Sequence, residues 1–206
     1  MRARRLLIDG AVEFTTPRFA DDRGFFTSPL QEADLRAATG RPAFGIRQVS
    51  YNYSRVAGVL RGLHYTATPP GAAKYVFCPV GRIIDFLVDL RVGSPTFGVC
   101  DSVELNADNG RAVYLPVGIG HGSVVLTDHS MVVYLLSEEY VPANELAVHA
   151  LDPALDLPIP DGLELLMSDR DRIAPALAEA RAARLLPDYE TCLALDEAMA
   201  QAGSAA

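Results

Sequence analysis

The chain has no apolar run long enough to span a bilayer, which excludes a helical membrane protein. It also has no basic excess. Lys and Arg number 18 against 26 Asp and Glu, a formal net charge of −8, so an extended nucleic-acid surface is excluded and any anion must be held by a local Arg/Lys pocket. Cysteine is scarce. Cys78, Cys100 and Cys192 are odd in number and widely spaced, with no C-x-x-C pair, which argues against a disulfide framework and for a reducing compartment. The four histidines, His64, His121, His129 and His149, include no H-x-H pair and no glutamate at a chelating interval, so no metal is expected. A thiol nucleophile is not expected either, because no cysteine neighbours a histidine or a glycine-rich elbow. The basic start Arg2-Ala3-Arg4-Arg5 is followed by only Leu6-Leu7-Ile8 before Asp9, too short an apolar core for export, so a cytoplasmic protein is expected.

What the chain does contain, 50% hydrophobic and 21% charged residues, describes an ordered globular protein. One domain is expected, with a barrel over about 6–150 and C-terminal loops and helices over about 151–206. The stretch from Gly58 to Gly98 organises the rest. Ile84, Phe86, Val88 and Leu90 recur at every second position, the period of a strand, and the intervening Asp85 and Asp89 are expected to be solvated. Lys74 to Pro79 is also β-rich and follows the turn-forming Thr68-Pro69-Pro70-Gly71. A hairpin is expected there, with His64 across from Lys74. Arg61 falls on the opposite face from His64 in a regular strand, so the two share a pocket only if the strand bulges at Gly62.

The remaining segments follow the same logic. Leu6 to Phe14 reads as a first strand and Phe19 to Phe26 as a second, turning at Asp21-Asp22. Ser28 and Gln31 form a capping box with Pro29 between, predicting a helix over 29–39 that Gly40 closes. Phe44 to Ser54 alternates polar Gln48, Ser50, Asn52 and Ser54 with Val49, Tyr51 and Tyr53, so one face of that strand is either outside or lining a site. Strands are expected over Val99 to Leu105 and Ala112 to Leu115, joined by a turn at Asn106 to Gly110. Pro116 to Gly122 is dense in glycine, which lets backbone pass close to something. Ser123 to Leu126 and Ser130 to Leu136 read as a hairpin around Asp128-His129. The stretch from Pro142 to Pro160 is loop-rich, helices are expected near Pro175 to Arg184 and Tyr189 to Ala200, and the tail Gly203 to Ala206 is expected to fray.

The chemistry these residues permit is general acid/base work. His64, between Leu63 and Tyr65, supplies a neutral imidazole that accepts a proton, or is simply a hydrogen-bonded structural histidine. A buried Lys74 beside it is costly unless it meets an anion, and an enolate oxygen formed beside a ketone is one such anion. Tyr134 is either a core residue with its hydroxyl at the rim or an acid on the opposite face. Arg23, flanked by glycine and aromatics, is either a solvated edge residue or a phosphate ligand.

Arg61-Gly62-Leu63-His64-Tyr65, Lys74, Val88-Asp89-Leu90-Arg91 with Gly93 to Gly98, Gly120-His121-Gly122 and Ser168 to Asp171, taken together and in this order, resemble the dTDP-4-dehydrorhamnose 3,5-epimerase family. The likeness runs from about Leu6 to Leu186. It implies a mainly β fold, a cupin-like jelly-roll β-barrel with a short N-terminal helix and C-terminal helices, working as a homodimer without metal or cofactor. The implied activity is epimerisation beside the C4 ketone of a dTDP-4-keto-6-deoxysugar. By motif, His64 would be the base, oriented by Asp171, and Tyr134 the opposing acid. Lys74 would sit by the C4 oxygen, with His121 lining the pocket. Arg23, Gln48, Arg61 and Arg170 would hold the pyrophosphate and Tyr140 would lie near the thymine. Thr66 after the His-Tyr pair, Ser28 beyond Phe25-Phe26 and the absence of tryptophan depart from the family pattern at positions that flank sugar and nucleotide contacts. His64-Tyr65-Thr66, Pro69-Pro70-Gly71 and Ala73-Lys74-Tyr75 resemble the branch that serves unusual deoxysugars for natural-product glycosylation, with rhamnose-type sugars as the other destination, and imply inversion at C5, alone or with C3. The competing expectations are a C3 mono-epimerase, a dTDP-sugar 3,4-ketoisomerase, which would lack the opposing tyrosine, and a cupin that only binds.

Overall fold

The structure, a computed structural model, describes residues 1–40 and 44–204. Strands β1 (Arg2–Arg5), β2 (Val12–Thr15), β10 (Arg111–Leu115), β7 (Lys74–Val80), β12 (Ser130–Leu136) and β5 (Gln48–Ser54) form a six-stranded sheet, ordered β1-β2-β10-β7-β12-β5. A five-stranded sheet is ordered β13-β6-β11-β8-β9, from β13 (Glu145–Ala147), β6 (Leu60–Thr66), β11 (Ile119–Val125), β8 (Arg82–Asp89) and β9 (Cys100–Asn106). All pairings within these sheets are antiparallel. The mainly β, jelly-roll class expected from the sequence is the fold observed, as two sheets that do not close into the expected barrel among the described residues.

Strand parity explains three separate apolar clusters. Between the sheets, Val76, Cys78, Val113, Leu115 and Val132 of the six-stranded sheet meet Ile83, Leu87, Val103, Leu105 and Val125 of the other. Outside the five-stranded sheet, Leu60, Leu63, Tyr65, Phe86, Val88 and Leu90 are covered by Val148, Ala150, Leu155, Met167 and Ala180 of the C-terminal segment. Outside the six-stranded sheet, Phe14, Tyr75, Ala112 and Tyr114 are covered by Leu35 of α1 (Glu32–Thr39) and by Cys192 and Leu195 of α4 (Tyr189–Ser204). The apolar alternation of β8 therefore marks its outer, C-terminally covered face. Asp85 and Asp89 point between the sheets and are fully buried, not solvated. Asp89 is neutralised there by Arg91, at 2.9 Å from Nε, and accepts bonds of 2.6 Å from both Ser94 and Thr96.

Other local expectations need correction. The two expected hairpins are not hairpins: β6 and β7 lie in different sheets, as do β11 and β12, so each connection crosses the molecule. The first strand is two, β1 and β2, joined by a turn through Leu6 to Ala11. Helix α1 begins at Glu32 rather than 29, with no side-chain cap, and the carbonyl of Pro29 accepts the Tyr75 hydroxyl at 2.6 Å. Gly40 does close it, in the left-handed conformation. The loop-rich stretch contains a short strand, β13. The expected second strand is likewise two, β3 (Phe19–Asp21) and β4 (Gly24–Phe26), an exposed hairpin that turns at Asp22-Arg23 rather than at Asp21-Asp22. Beyond Arg170 and Asp171, in α2 (Asp169–Arg172), lie α3 (Leu177–Ala182) and α4, which reaches Ser204; Ala205 and Ala206 of the expected frayed tail lie outside the described residues. No described helix is long and apolar enough to cross a membrane.

Candidate active site

The polar side chains project into one end of the space between the sheets. Strand β6 carries two of them only because it bulges. His64 pairs with His121 and Arg61 with Ser123, so one residue of β11 faces two of β6 and the register shifts. Gly62 has φ +103°, and a Cβ there would lie 2.5 Å from the His121 carbonyl oxygen and 2.6 Å from the Gly122 Cα. Only glycine fits. Gly122 of β11 answers the same need, since a Cβ there would fall 2.7 Å from the Arg61 carbonyl oxygen. Gly120 lies instead against the Leu90 side chain, and Gly118 against Cys192 and Arg91.

The result is a cavity of about 240 Å³ lined by Gln48, Ser50, Asn52, Arg61, His64, Lys74, His121, Gly122, Ser123, Tyr134, Leu136, Tyr140 and Glu145. Seven of the ten residues singled out from the sequence are in that set. His64 Nε2 lies 2.6 Å from Asp171 Oδ1, while Nδ1 is free of that contact. Asp171 stands behind the histidine, its side chain only 4% exposed. Burial alone would raise its pKa, but the hydrogen bond and charge of His64 and contacts from Ser168 and the Gly62 backbone outweigh it, and the carboxylate is held below its usual range. It is ionised at neutral pH. Ser168 fixes the segment by N-capping α2, accepting from the Asp171 backbone at 3.2 Å.

Lys74 enters from the six-stranded sheet, 7% exposed, with Nζ 3.5 Å from the His64 carbonyl oxygen. Burial depresses its pKa, and the charges of Glu145 and Asp85 oppose the shift. Tyr134, also from the six-stranded sheet, has its pKa raised by burial and by Asp85, against Arg61 and a hydrogen bond from Asn52. Its ring packs edge-on against His121 at 5.6 Å between centroids. His121 Nε2 is 2.7 Å from Asp85 Oδ1, so the aspartate expected at the surface instead holds a cavity-lining imidazole. Gln48 bonds Ser50 and the Tyr140 backbone, each at 2.7 Å, and Arg61 keeps a buried Nε without a partner among the described residues.

Two predicted ligands lie elsewhere. Arg170 is at the rim, bonded to the Glu145 carbonyl at 3.0 Å. Arg23 sits on the β3–β4 turn, 89% exposed and paired with Asp21 at 2.6 Å. The residues missed from the sequence are Asn52, Ser50, Ser123, Asp85 and Glu145. Asn52 and Ser50 carried a signal, the polar face of an alternating strand. Glu145, which bonds Thr66 at 2.8 Å, carried none, because its three-residue strand exists only by pairing with β6.

The arrangement, a dyad on one wall and a buried cation and phenol on the other, suits proton removal and return beside a carbonyl. Residues 5–179 match the family described as dTDP-4-dehydrorhamnose 3,5-epimerase. The chain is 44% identical to a dTDP-4-dehydrorhamnose 3,5-epimerase of Streptomyces griseus, over 98% of this chain and 99% of the relative. A solved 4-keto-6-deoxy sugar epimerase from the novobiocin biosynthetic gene cluster of Streptomyces spheroides is 46% identical with a TM-score of 0.89, covering 93% of this chain and 95% of that one. A 3′-monoepimerase from Streptomyces bikiniensis, solved in complex with dTDP-quinovose, is 41% identical with a TM-score of 0.89, over 95% and 98% of the two chains. The chain belongs to the dTDP-4-dehydrorhamnose 3,5-epimerase family.

Proposed function

We propose that the protein epimerises a dTDP-4-keto-6-deoxyhexose at the carbons flanking its C4 ketone, inverting C5 and C3, in deoxysugar biosynthesis for natural-product glycosylation. One observation carries this reading: His64 with Asp171 and Tyr134 with Lys74 reach the same cavity from opposite sheets. A sugar ring held between them presents one face to the imidazole and the other to the phenol. His64 removes the proton α to the ketone, and Asp171 stabilises the imidazolium that forms. The electron pair moves onto the C4 oxygen, where the Lys74 ammonium meets the negative charge. Tyr134 then delivers a proton to the other face, and the carbon is inverted. No electrons are gained or lost overall, so the reaction as written requires no redox cofactor. A 3,4-ketoisomerase would have no use for an acid on the opposite face.

Gln48, Arg61 and Tyr140 are assigned to the nucleotide diphosphate. Arg23 reaches such a group only from a second copy, and we assign the active form as a homodimer. The exposed Phe19 and Phe26 of the β3–β4 hairpin, and Val49, Tyr51 and Tyr53 on the sheet-edge strand β5, support it. The three free cysteines support a cytoplasmic setting. Of the relatives compared above, the Streptomyces griseus protein is named for inversion at both carbons and the Streptomyces bikiniensis one for inversion at C3, which supports including C3 beside C5. The test is incubation with dTDP-4-keto-6-deoxyglucose in deuterated water, locating label by NMR. Deuterium at C3 and C5 is expected; label at a single carbon reduces the enzyme to a mono-epimerase, and no dTDP binding overturns the assignment.

A further inference from the structure

Asn52 is the residue that contacts the Tyr134 hydroxyl. Its Nδ2 donates to the phenol oxygen, while its Oδ1 is buried with no partner among the described residues. A buried amide used for structure has both ends satisfied. This one bonds the phenol and leaves its carbonyl idle at the cavity wall. The surroundings of the phenol are otherwise unfavourable to charge, since Asp85 stands near with its own Oδ2 unpartnered. Arg61 and the Asn52 amide are the groups that favour the phenolate left behind by proton donation.

Resting on the epimerase reading, we propose that Asn52 is a positioning residue for Tyr134: its amide N–H occupies the phenol oxygen, so that the phenolic proton is directed toward the sugar rather than into the wall. The opposite amide orientation, with Oδ1 accepting from the hydroxyl, would tie up the proton that the reaction needs. The direction of one hydrogen bond therefore decides whether the tyrosine is available as an acid. A carboxylate at this position can only accept.

The experiment compares wild type with Asn52→Asp and Asn52→Ala, recording dTDP affinity, deuterium exchange into unreacted substrate and formation of inverted product. Exchange reports His64, and inversion reports Tyr134. Asn52→Asp is expected to hold exchange and dTDP affinity within about threefold while inversion falls about 100-fold, the scale of losing a general acid. Asn52→Ala is expected to lie between, at roughly tenfold. Equal loss of exchange and inversion in both variants would make Asn52 merely structural and overturn the proposal, as would unchanged inversion in Asn52→Asp. If the aspartate variant fails to fold, the alanine variant's exchange-to-inversion ratio decides alone. A wild type that neither exchanges nor inverts overturns the epimerase reading itself.

Discussion

Replacing Asp171 by asparagine tests the dyad with almost no change in shape. In the proposed mechanism His64 gives its Nε2 proton to the hydrogen bond with Asp171, across 2.6 Å, which leaves Nδ1 to accept the substrate proton. After proton abstraction the pair becomes imidazolium and carboxylate. Two unit charges about 4 Å apart are worth ~4 kcal/mol at an effective dielectric of 20. The His64 side chain is 31% exposed and the Asp171 side chain 4%, so solvent screens part of this and roughly 2–4 kcal/mol remains. At 1.36 kcal/mol per decade, kcat falls about 30- to 1000-fold. An asparagine that turns its NH₂ toward Nε2 also moves the imidazole proton to Nδ1, the wrong nitrogen, and pushes the loss to the upper end. The bond from the Asp171 backbone to Ser168 survives the change, so the α2 segment keeps its place. Single-turnover deuterium exchange and dTDP calorimetry separate the two effects, with the expectation of slow exchange and affinity within about twofold. Exchange within about threefold of wild type would refute the role of Asp171, and a parallel loss of dTDP affinity would show that it holds the fold rather than the base.

Two further outcomes follow from buried charges. Lys74→Met removes a cation whose pKa burial already depresses, so the melting temperature is expected to hold or rise while kcat falls on the order of 10²–10³-fold, the scale of an oxyanion donor; a proportional loss of both would make Lys74 structural. Burial alone would raise the Asp89 carboxyl, but bonds from Arg91, Ser94 and Thr96 and the charge of Arg91 outweigh it and hold the group below the usual carboxylate range. Its contribution is therefore complete above the unfolded pKa and lost as pH falls through the lower folded value. Asp89→Asn leaves Arg91 buried without its counter-charge and is expected to cost about 3–5 kcal/mol by urea unfolding at pH 7. The gap from wild type should narrow below about pH 4, and a gap independent of pH would refute the ionic account.

Much of the site was legible because strand parity is local. Alternation in Gln48 to Ser54 put four polar side chains on one face, and three of them line the cavity. The conflict between Arg61 and His64 predicted a bulge at Gly62, and the register shift lies opposite that residue. Parity also misled, because both faces of β8 are covered and its aspartates lie on the inner one. Helix α1 starts late, with no side-chain cap at Gln31, and the Pro29 carbonyl is bonded instead to a tertiary partner, Tyr75.

Parity states which side of a strand a residue occupies but not which sheet the strand joins, and the proposed chemistry depends on the second fact. Had residues 60–66 and 74–80 closed as a hairpin, His64 and Lys74 would be neighbours on one wall. Likewise, a hairpin of 119–125 with 130–136 would have set His121 and Tyr134 side by side. In the jelly roll both connections cross, so the histidines stay on the five-stranded sheet while Lys74 and Tyr134 stand on the six-stranded one. Turn residues such as Thr68-Pro69-Pro70-Gly71 permit a tight hairpin and a crossing connection equally well. The choice is made by burial: Tyr75 and Leu135 pack under α1 and α4 while Leu63 and Tyr65 pack under the C-terminal segment, and no hairpin satisfies both coverings at once. The placement of Tyr134 opposite His64 is thus a consequence of how the outer faces of the two sheets are covered, and the segments that cover them do so from outside the cavity.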